Sequence, residues 1–180
     1  MEMKPFIELY SGLPFWYDKL DENTYDINDI AHALSMQCRY NGHCNYFYSV
    51  AEHCILMFDY AQYTLNITDN NILRTILMHD ASEAYLSDIP RPLKQLLPDY
   101  IKVEKELENV LAKEFKLIYP FPEIVKELDN SMLKVERNHV KVWTDNIWSS
   151  DHLPLLPIKL KGWTPKKSEK EYLQRYYMVE

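Results

Sequence analysis

The sequence predicts an all-α fold on three observations. Only 3 of its 180 residues are glycine, strand-type alternation is scarce, and apolar residues recur at helical spacing behind capping signals. The length is that of one domain with a sizeable core. Hydrophobic residues make up 47% of the chain, which fits a globular protein and not a disordered one.

Taken in order, residues 4–17 carry strand-like residues on both sides of Ser11-Gly12, so a short N-terminal β-hairpin is expected there. Residues 26–37 read as a first helix, followed by a loop over 38–48 with an Asn41-Gly42 turn. A capping box, Ser49-x-x-Glu52, opens a helix to about Leu65, with Val50, His53, Cys54, Met57 and Ala61 on one face. Residues 69–86 form the next helix, where Ile72, Ile76, His79, Asp80 and Glu83 share an arc. Pro90 and Pro92 punctuate the link to a charged amphipathic helix that begins at Pro98 and ends near Phe115. Pro120 and Pro122 precede a helix to about Trp143, whose inward face holds Val125, Leu128, Asp129, Met132, Val135 and Glu136. From Ser149 the chain reads as an irregular tail with a short helix at about 168–177. This makes about six helices in a single domain over 1–180, with a core at about 26–142 and a tail at 149–180. No internal repeat or second domain is evident.

Bulk properties narrow the function classes. A net charge of −7 and a pI near 5.4 are a poor footprint for long nucleic acid, yet a few local cations suffice for a small phosphorylated ligand. No apolar run reaches the roughly 18 residues that span a bilayer, so no membrane partner is expected. The start MEMKPFIELY lacks the features of a signal peptide. Cys38, Cys44 and Cys54 are odd in number, match no zinc-finger spacing, and read as reduced thiols of a cytoplasmic protein. Cys44 beside His43 reads as a loop thiol in preference to a metal ligand.

The chemistry lies in His53, His79-Asp80 and Asp129. One inward His is commonly a satisfied core residue. Two His and two Asp facing inward from three helices are different, because a buried carboxylate without a partner is costly. One divalent ion satisfies all four, and this donor set suits Zn, Mn, Co or Mg. Four protein ligands on an octahedral ion leave two positions for water and a substrate oxygen, the arrangement that metal-assisted hydrolysis needs.

The pattern His53, His79-Asp80, Asp129 resembles the HD-domain metal-dependent phosphohydrolases. The stretches CRYNGHCNYFYSVAEHC (38–54) and LMHDASEAYLSDIPRPLK (77–94) resemble bacterial 5′-deoxynucleotidases and related phage-encoded HD hydrolases, as do FIELYSG and DINDIAHALS near the N-terminus. The resemblance covers most of residues 5–140. It implies an HD-domain helical bundle in the cytoplasm of a bacterium or of a phage-infected host. It also implies catalytic roles for Glu83, as acid/base one turn from the ligands, and for Arg39, on the phosphate. Tyr40 stands where Trp is typical of the deoxynucleotidases and is expected against base or sugar. Asp88 matches a residue that reads the sugar 3′-hydroxyl, the alternative being a turn residue before Pro90. Lys94 is expected on phosphate, the alternative being a solvated helix lysine. Glu136 and His139 are candidates for outer support, and His43 for an extra contact to phosphate or water. The activity implied is phosphate release from 2′-deoxynucleoside 5′-monophosphates. Two alternatives stay open. One is a deoxynucleoside triphosphohydrolase, for example on dATP, in which Arg91 and Lys94 add charge. The other is a non-catalytic nucleotide-binding module. Homo-oligomerisation is left open.

Overall fold

A computed structural model describes residues 6–140 and 145–180. The all-α expectation holds, with a small hairpin at the N-terminus. Strands β1 (Ile7–Glu8) and β2 (Pro14–Phe15) pair antiparallel around the predicted turn. Ser11 in that turn donates its backbone amide and its hydroxyl to Asp29, at 2.7 and 2.8 Å. The hairpin is thereby tied to α1 (Ile27–Met36), which starts on the Asp26 cap.

Helix α2 (Val50–Tyr63) is the centre of the bundle. It packs against α1, α3, α7 and α8, and every residue from Val50 to Phe58 is buried. A helix apolar on all sides belongs in a core, so the inward face expected of this segment is only part of its buried surface. Ser49 caps it by accepting from the Glu52 amide at 3.0 Å. The other half of the expected capping box is absent. The Glu52 carboxylate instead accepts the backbone amides of Lys161, Gly162 and Trp163, at 2.7, 2.9 and 2.7 Å. Gly162 turns the chain there with a φ of +61°, a conformation that glycine tolerates at little cost.

The segment expected as one helix over 69–86 is broken. Helix α3 (Asn70–Met78) runs into i→i+3 turns at 79–82 before a one-turn α4 (Glu83–Leu86). The His79 ring contributes to the break, since its Nδ1 donates to the Ile76 carbonyl at 2.9 Å, among the last acceptors of α3. Then follow a short α5 (Arg91–Lys94), α6 (Pro98–Glu114) and α7 (Glu123–Val140). The expected end of α7 near Trp143 lies outside the described residues. The extra helices relative to the expected six are α4 and α5, of four residues each.

The tail corrects the expectation most. Residues 149–164 are irregular, but α8 (Pro165–Met178) has 14 residues and belongs to the core. Tyr172 is fully buried and donates to the Leu77 carbonyl at 3.0 Å, while Arg175 forks onto Asp59 with two bonds of 2.9 Å. The core therefore extends beyond 142. The polar sequence of α8 hides this, because tyrosine and arginine stems supply its buried contacts. No helix among the described residues is long and apolar enough to cross a membrane.

Candidate metal centre and its cavity

Three helices bring the predicted ligands to one place. His53 comes from the first turn of α2, His79 and Asp80 from the turns after α3, and Asp129 from the second turn of α7. Donor atoms of His53, His79 and Asp80 lie within 4.8 Å of one another. Ligands about 2.0–2.2 Å from one ion sit up to about 4.3 Å apart, so small side-chain rotations suffice to close the cluster.

Both imidazoles are oriented for ligation. His53 donates Nδ1 to Glu136 at 2.6 Å, and His79 donates Nδ1 to the Ile76 carbonyl. That leaves each Nε2 facing the carboxylates of the cluster, where loss of its proton frees a lone pair for a metal ion. Both Nε2 atoms are buried without a hydrogen-bond partner. Two pre-aimed ring nitrogens beside a carboxylate fit a metal ion, and the residues present could hold one.

Asp129 sits at the edge of this group. One oxygen lies 3.4 Å from His53 Nε2, and the other faces Arg91 at 3.4 Å. The structure thus gathers three of the four predicted ligands tightly and places the fourth beside them.

Charge distribution follows from burial and proximity. Burial alone would raise the Asp80 carboxyl, but His79 at 3.1 Å, His53 and Arg39 hold it well below the usual carboxylate range. Asp129 is likewise lowered, as its contact with His53 overrules burial. Glu83 goes the other way. Buried at the start of α4, facing the charges of Asp80 and Asp88, it is pushed well above an ordinary glutamate, and its Oε2 has no partner.

Arg39 is buried, not a surface cation. Its guanidinium lies 3.4 Å from Glu136 and 3.6 Å from Asp80. The turn that follows is left-handed at two successive non-glycine residues, Tyr40 (φ 59°) and Asn41 (φ 52°). Such backbone is costly and persists where surrounding contacts hold it. Here Tyr40 is held by donating its hydroxyl to Glu136. Glu136 also accepts from Tyr48 at 3.0 Å and is fully buried. One carboxylate therefore joins His53, the arginine and two tyrosines. It stays ionised because Arg39 and His53 outweigh its burial.

A cavity of about 780 Å³ opens in front of these groups. Arg39, Tyr40, His43, Asp80, Glu83, Asp88, Lys94 and Asp129 all line it. Lys94 is half-buried and pairs with Glu104 at 2.6 Å, so it is not a solvated lysine. Asp88 follows Ser87, whose φ of 69° and ψ of 153° are nearly a glycine-only conformation. His139 is exposed, bonds to Val135 of its own helix and does not join the site. Cys44 donates to the Arg39 carbonyl at 3.3 Å and is a structural loop thiol.

Three contributors escape a reading of the sequence. Gln37 bridges the site by donating to the Glu83 carbonyl at 2.9 Å and accepting from the Asp88 amide at 3.0 Å. A neutral amide after a helix end carries no signal of that role. Tyr48 has no periodic partner to mark it. Trp148 lines the cavity from a segment without regular structure.

No family model matches the chain. It is 39% identical over 143 residues to the uncharacterized protein YfdR of Escherichia coli (strain K12), covering 79% of this chain and 76% of that protein. It is 32% identical over 133 residues to an uncharacterized protein of Rhodobacter capsulatus, covering 68% of this chain and 67% of the relative. At that identity and coverage, the chain belongs to the same family as YfdR.

Proposed function

We propose that this protein is an HD-type, divalent-metal-dependent phosphohydrolase that releases phosphate from 2′-deoxynucleoside 5′-monophosphates. One observation carries the reading. Two buried imidazoles, each with Nδ1 held from behind and Nε2 orphaned, converge with Asp80 behind a cavity that also presents a buried arginine. A bound divalent ion supplies Lewis acidity toward phosphoryl oxygens and acidifies water near neutral pH. His53, His79 and Asp80 would hold it, with Asp129 joining by turning from Arg91.

The residues around the cluster supply the rest. Arg39 is the cation placed to offset charge developing on equatorial phosphate oxygens. Glu83, raised by burial and by Asp80 and Asp88, is the carboxyl disposed to keep a proton and can deliver it to the leaving oxygen. Charge balance favours a monophosphate. The lining carries three cationic side chains, Arg39, Arg91 and Lys94, against the four carboxylates Asp80, Glu83, Asp88 and Asp129. With Glu83 protonated, three carboxylates offset the three cations, and a divalent ion brings that set to about two net positive charges, a better match to a dianion than to a triphosphate.

A second reading, deoxynucleoside triphosphate hydrolysis with release of tripolyphosphate, is favoured by the cavity volume and by Arg91 and Lys94 both lining it. The deciding experiment is product analysis with deoxynucleoside mono- and triphosphates and ribonucleotides, in Mn, Co, Zn and Mg in turn. Inorganic phosphate from monophosphates supports the first reading. Tripolyphosphate as the dominant product replaces it with the second. Inertness with every metal removes both and leaves a binding module.

A further inference from the structure

The cavity has an apolar wall that neither the metal cluster nor the phosphate-directed cations explain. Trp148 and Tyr40 both line it, with ring centroids 6.1 Å apart and planes at 49°. Leu133 and Ile147 continue the same lining, and Ile147 is 91% exposed. An isoleucine left in water at a cavity mouth beside a half-buried tryptophan is surface that a ligand can cover.

Trp148 is also held in place. Its backbone amide donates to Asp151 at 2.8 Å, and Asp151 is forked by Arg137 of α7. Lys134, one turn earlier, donates to the Asp151 carbonyl at 2.8 Å. The Arg137 guanidinium lies over the indole, 5.4 Å from its centroid. A segment without helix or strand is thus clamped to α7 by two cations, and the ring it carries is fixed against the cavity. Tyr40 joins this wall to the metal cluster, because its hydroxyl is bound by the same Glu136 that orients His53.

From this geometry we infer that Trp148 is a specificity-determining residue, forming with Tyr40 an angled aromatic wall for the planar ring of the substrate. Aromatic rings in direct contact have centroids about 4.5–7 Å apart, so 6.1 Å leaves no room for a base between the two. The base lies against the wall, stacked on one ring and meeting the edge of the other. Selectivity follows for phosphoesters that carry a flat heterocycle over those that carry only a sugar. The inference rests on the phosphohydrolase reading in its kinetic arm and is independent of it in its binding arm.

The test compares 2′-deoxyadenosine 5′-monophosphate with deoxyribose 5-phosphate on the metal-loaded full chain. Wild type, Trp148→Ala, Trp148→Leu and Trp148→Phe are each measured by steady-state kinetics and by calorimetric binding. Trp148→Ala and Trp148→Leu should raise KM and Kd for the nucleotide about 10- to 100-fold, the range for losing one base–aromatic stack. Constants for deoxyribose 5-phosphate should stay within about twofold, and Trp148→Phe should recover most of the nucleotide affinity. Leucine keeps apolar bulk, so a variant that folds but still loses the nucleotide identifies the ring and not the packing. Equal losses for both ligands, or unchanged nucleotide affinity in the folded leucine variant, overturn the inference. If wild type turns over neither compound, the phosphohydrolase reading fails, and the same contrast in Kd still decides the role of Trp148.

Discussion

The back of the cavity and its rim are built on different principles. At the back, His53, His79 and Glu136 are buried, and each is fixed by a bond with one sensible geometry. At the rim, Arg91, Lys94 and Asp129 are partly exposed and paired with one another or with neighbours such as Glu104. Buried groups left unpaired are costly, so the back is arranged before any ligand arrives. Rim pairs near water contribute about 0–1 kcal/mol and can exchange partners. On the proposed reading, the difference separates residues that would hold the ion before any ligand arrives from residues that would adjust when the ion and substrate bind.

The largest expected effect breaks the back. Asp80→Ala removes the carboxylate shared by both imidazoles and by Arg39, and should abolish stoichiometric metal binding and turnover together. Asp129→Ala should cost less metal, because that side chain stands at the edge of the cluster and already has Arg91 as a partner. Metal analysis of the two purified variants checks the order. Equal and complete loss in both would make Asp129 a full member of the cluster and shift the boundary drawn here.

Glu83→Gln comes next. The amide keeps the shape and cannot deliver a proton, so metal content should be normal while kcat falls about 10²–10⁴-fold. The pH dependence has a definite sign. Burial and the charges of Asp80 and Asp88 raise the Glu83 carboxyl, so the competent protonated form prevails at low pH and is lost as pH rises through the shifted value. Wild-type kcat should therefore fall on the alkaline side, and the variant should lack that limb. A kcat within a few-fold of wild type would remove Glu83 from proton transfer.

Glu136→Gln tests how far the back depends on its outer partner. The substitution keeps a hydrogen-bond acceptor but removes the charge that His53, Arg39, Tyr40 and Tyr48 share. Metal affinity should drop about 10- to 100-fold, the usual effect of losing a group that orients a ligand. Titration with a competing chelator measures it. An unchanged affinity would show that packing around α2 is enough to aim the imidazole.

The same division explains how much the sequence reveals. The back is legible because inward histidines and carboxylates interrupt an apolar helical period, and only a shared partner relieves their burial. Hence His53, His79, Asp80 and the inward placement of Glu136 can be read from spacing. The turn at 79–82 is not legible, since the apolar arc runs through it and the break comes from local hydrogen bonds. Helix α8 is underestimated because its buried surface is the flank of tyrosines and an arginine stem. Glu52 misleads for a related reason. Its place in a capping box is real in sequence, yet three amides more than 100 residues away bind it more fully. Gln37 and Trp148 are invisible because their roles depend on where loops lie, and no periodicity encodes that.

The smallest expected effect belongs to the rim and separates the two substrate readings. Lys94 donates to Glu104 at 2.6 Å while lining the cavity, so its charge is already partly spent. If the substrate is a monophosphate bound through Arg39 and the metal, Lys94→Gln should change kcat/KM by no more than about threefold, in line with an ion pair near solvent. If a triphosphate is the substrate, its distal phosphates need Lys94 and Arg91 to leave Glu104 and Asp129. A lost charge-assisted hydrogen bond costs about 1.5–3 kcal/mol, so Lys94→Gln should then cut triphosphate use by about tenfold or more and spare the monophosphate. Asp88→Asn sharpens the same point at the sugar. If Asp88 reads a hydroxyl, the preference for deoxy over ribo substrates should narrow in that variant. A ratio that does not move would leave Asp88 as the residue that follows a strained Ser87, placed by Gln37 and not by the substrate.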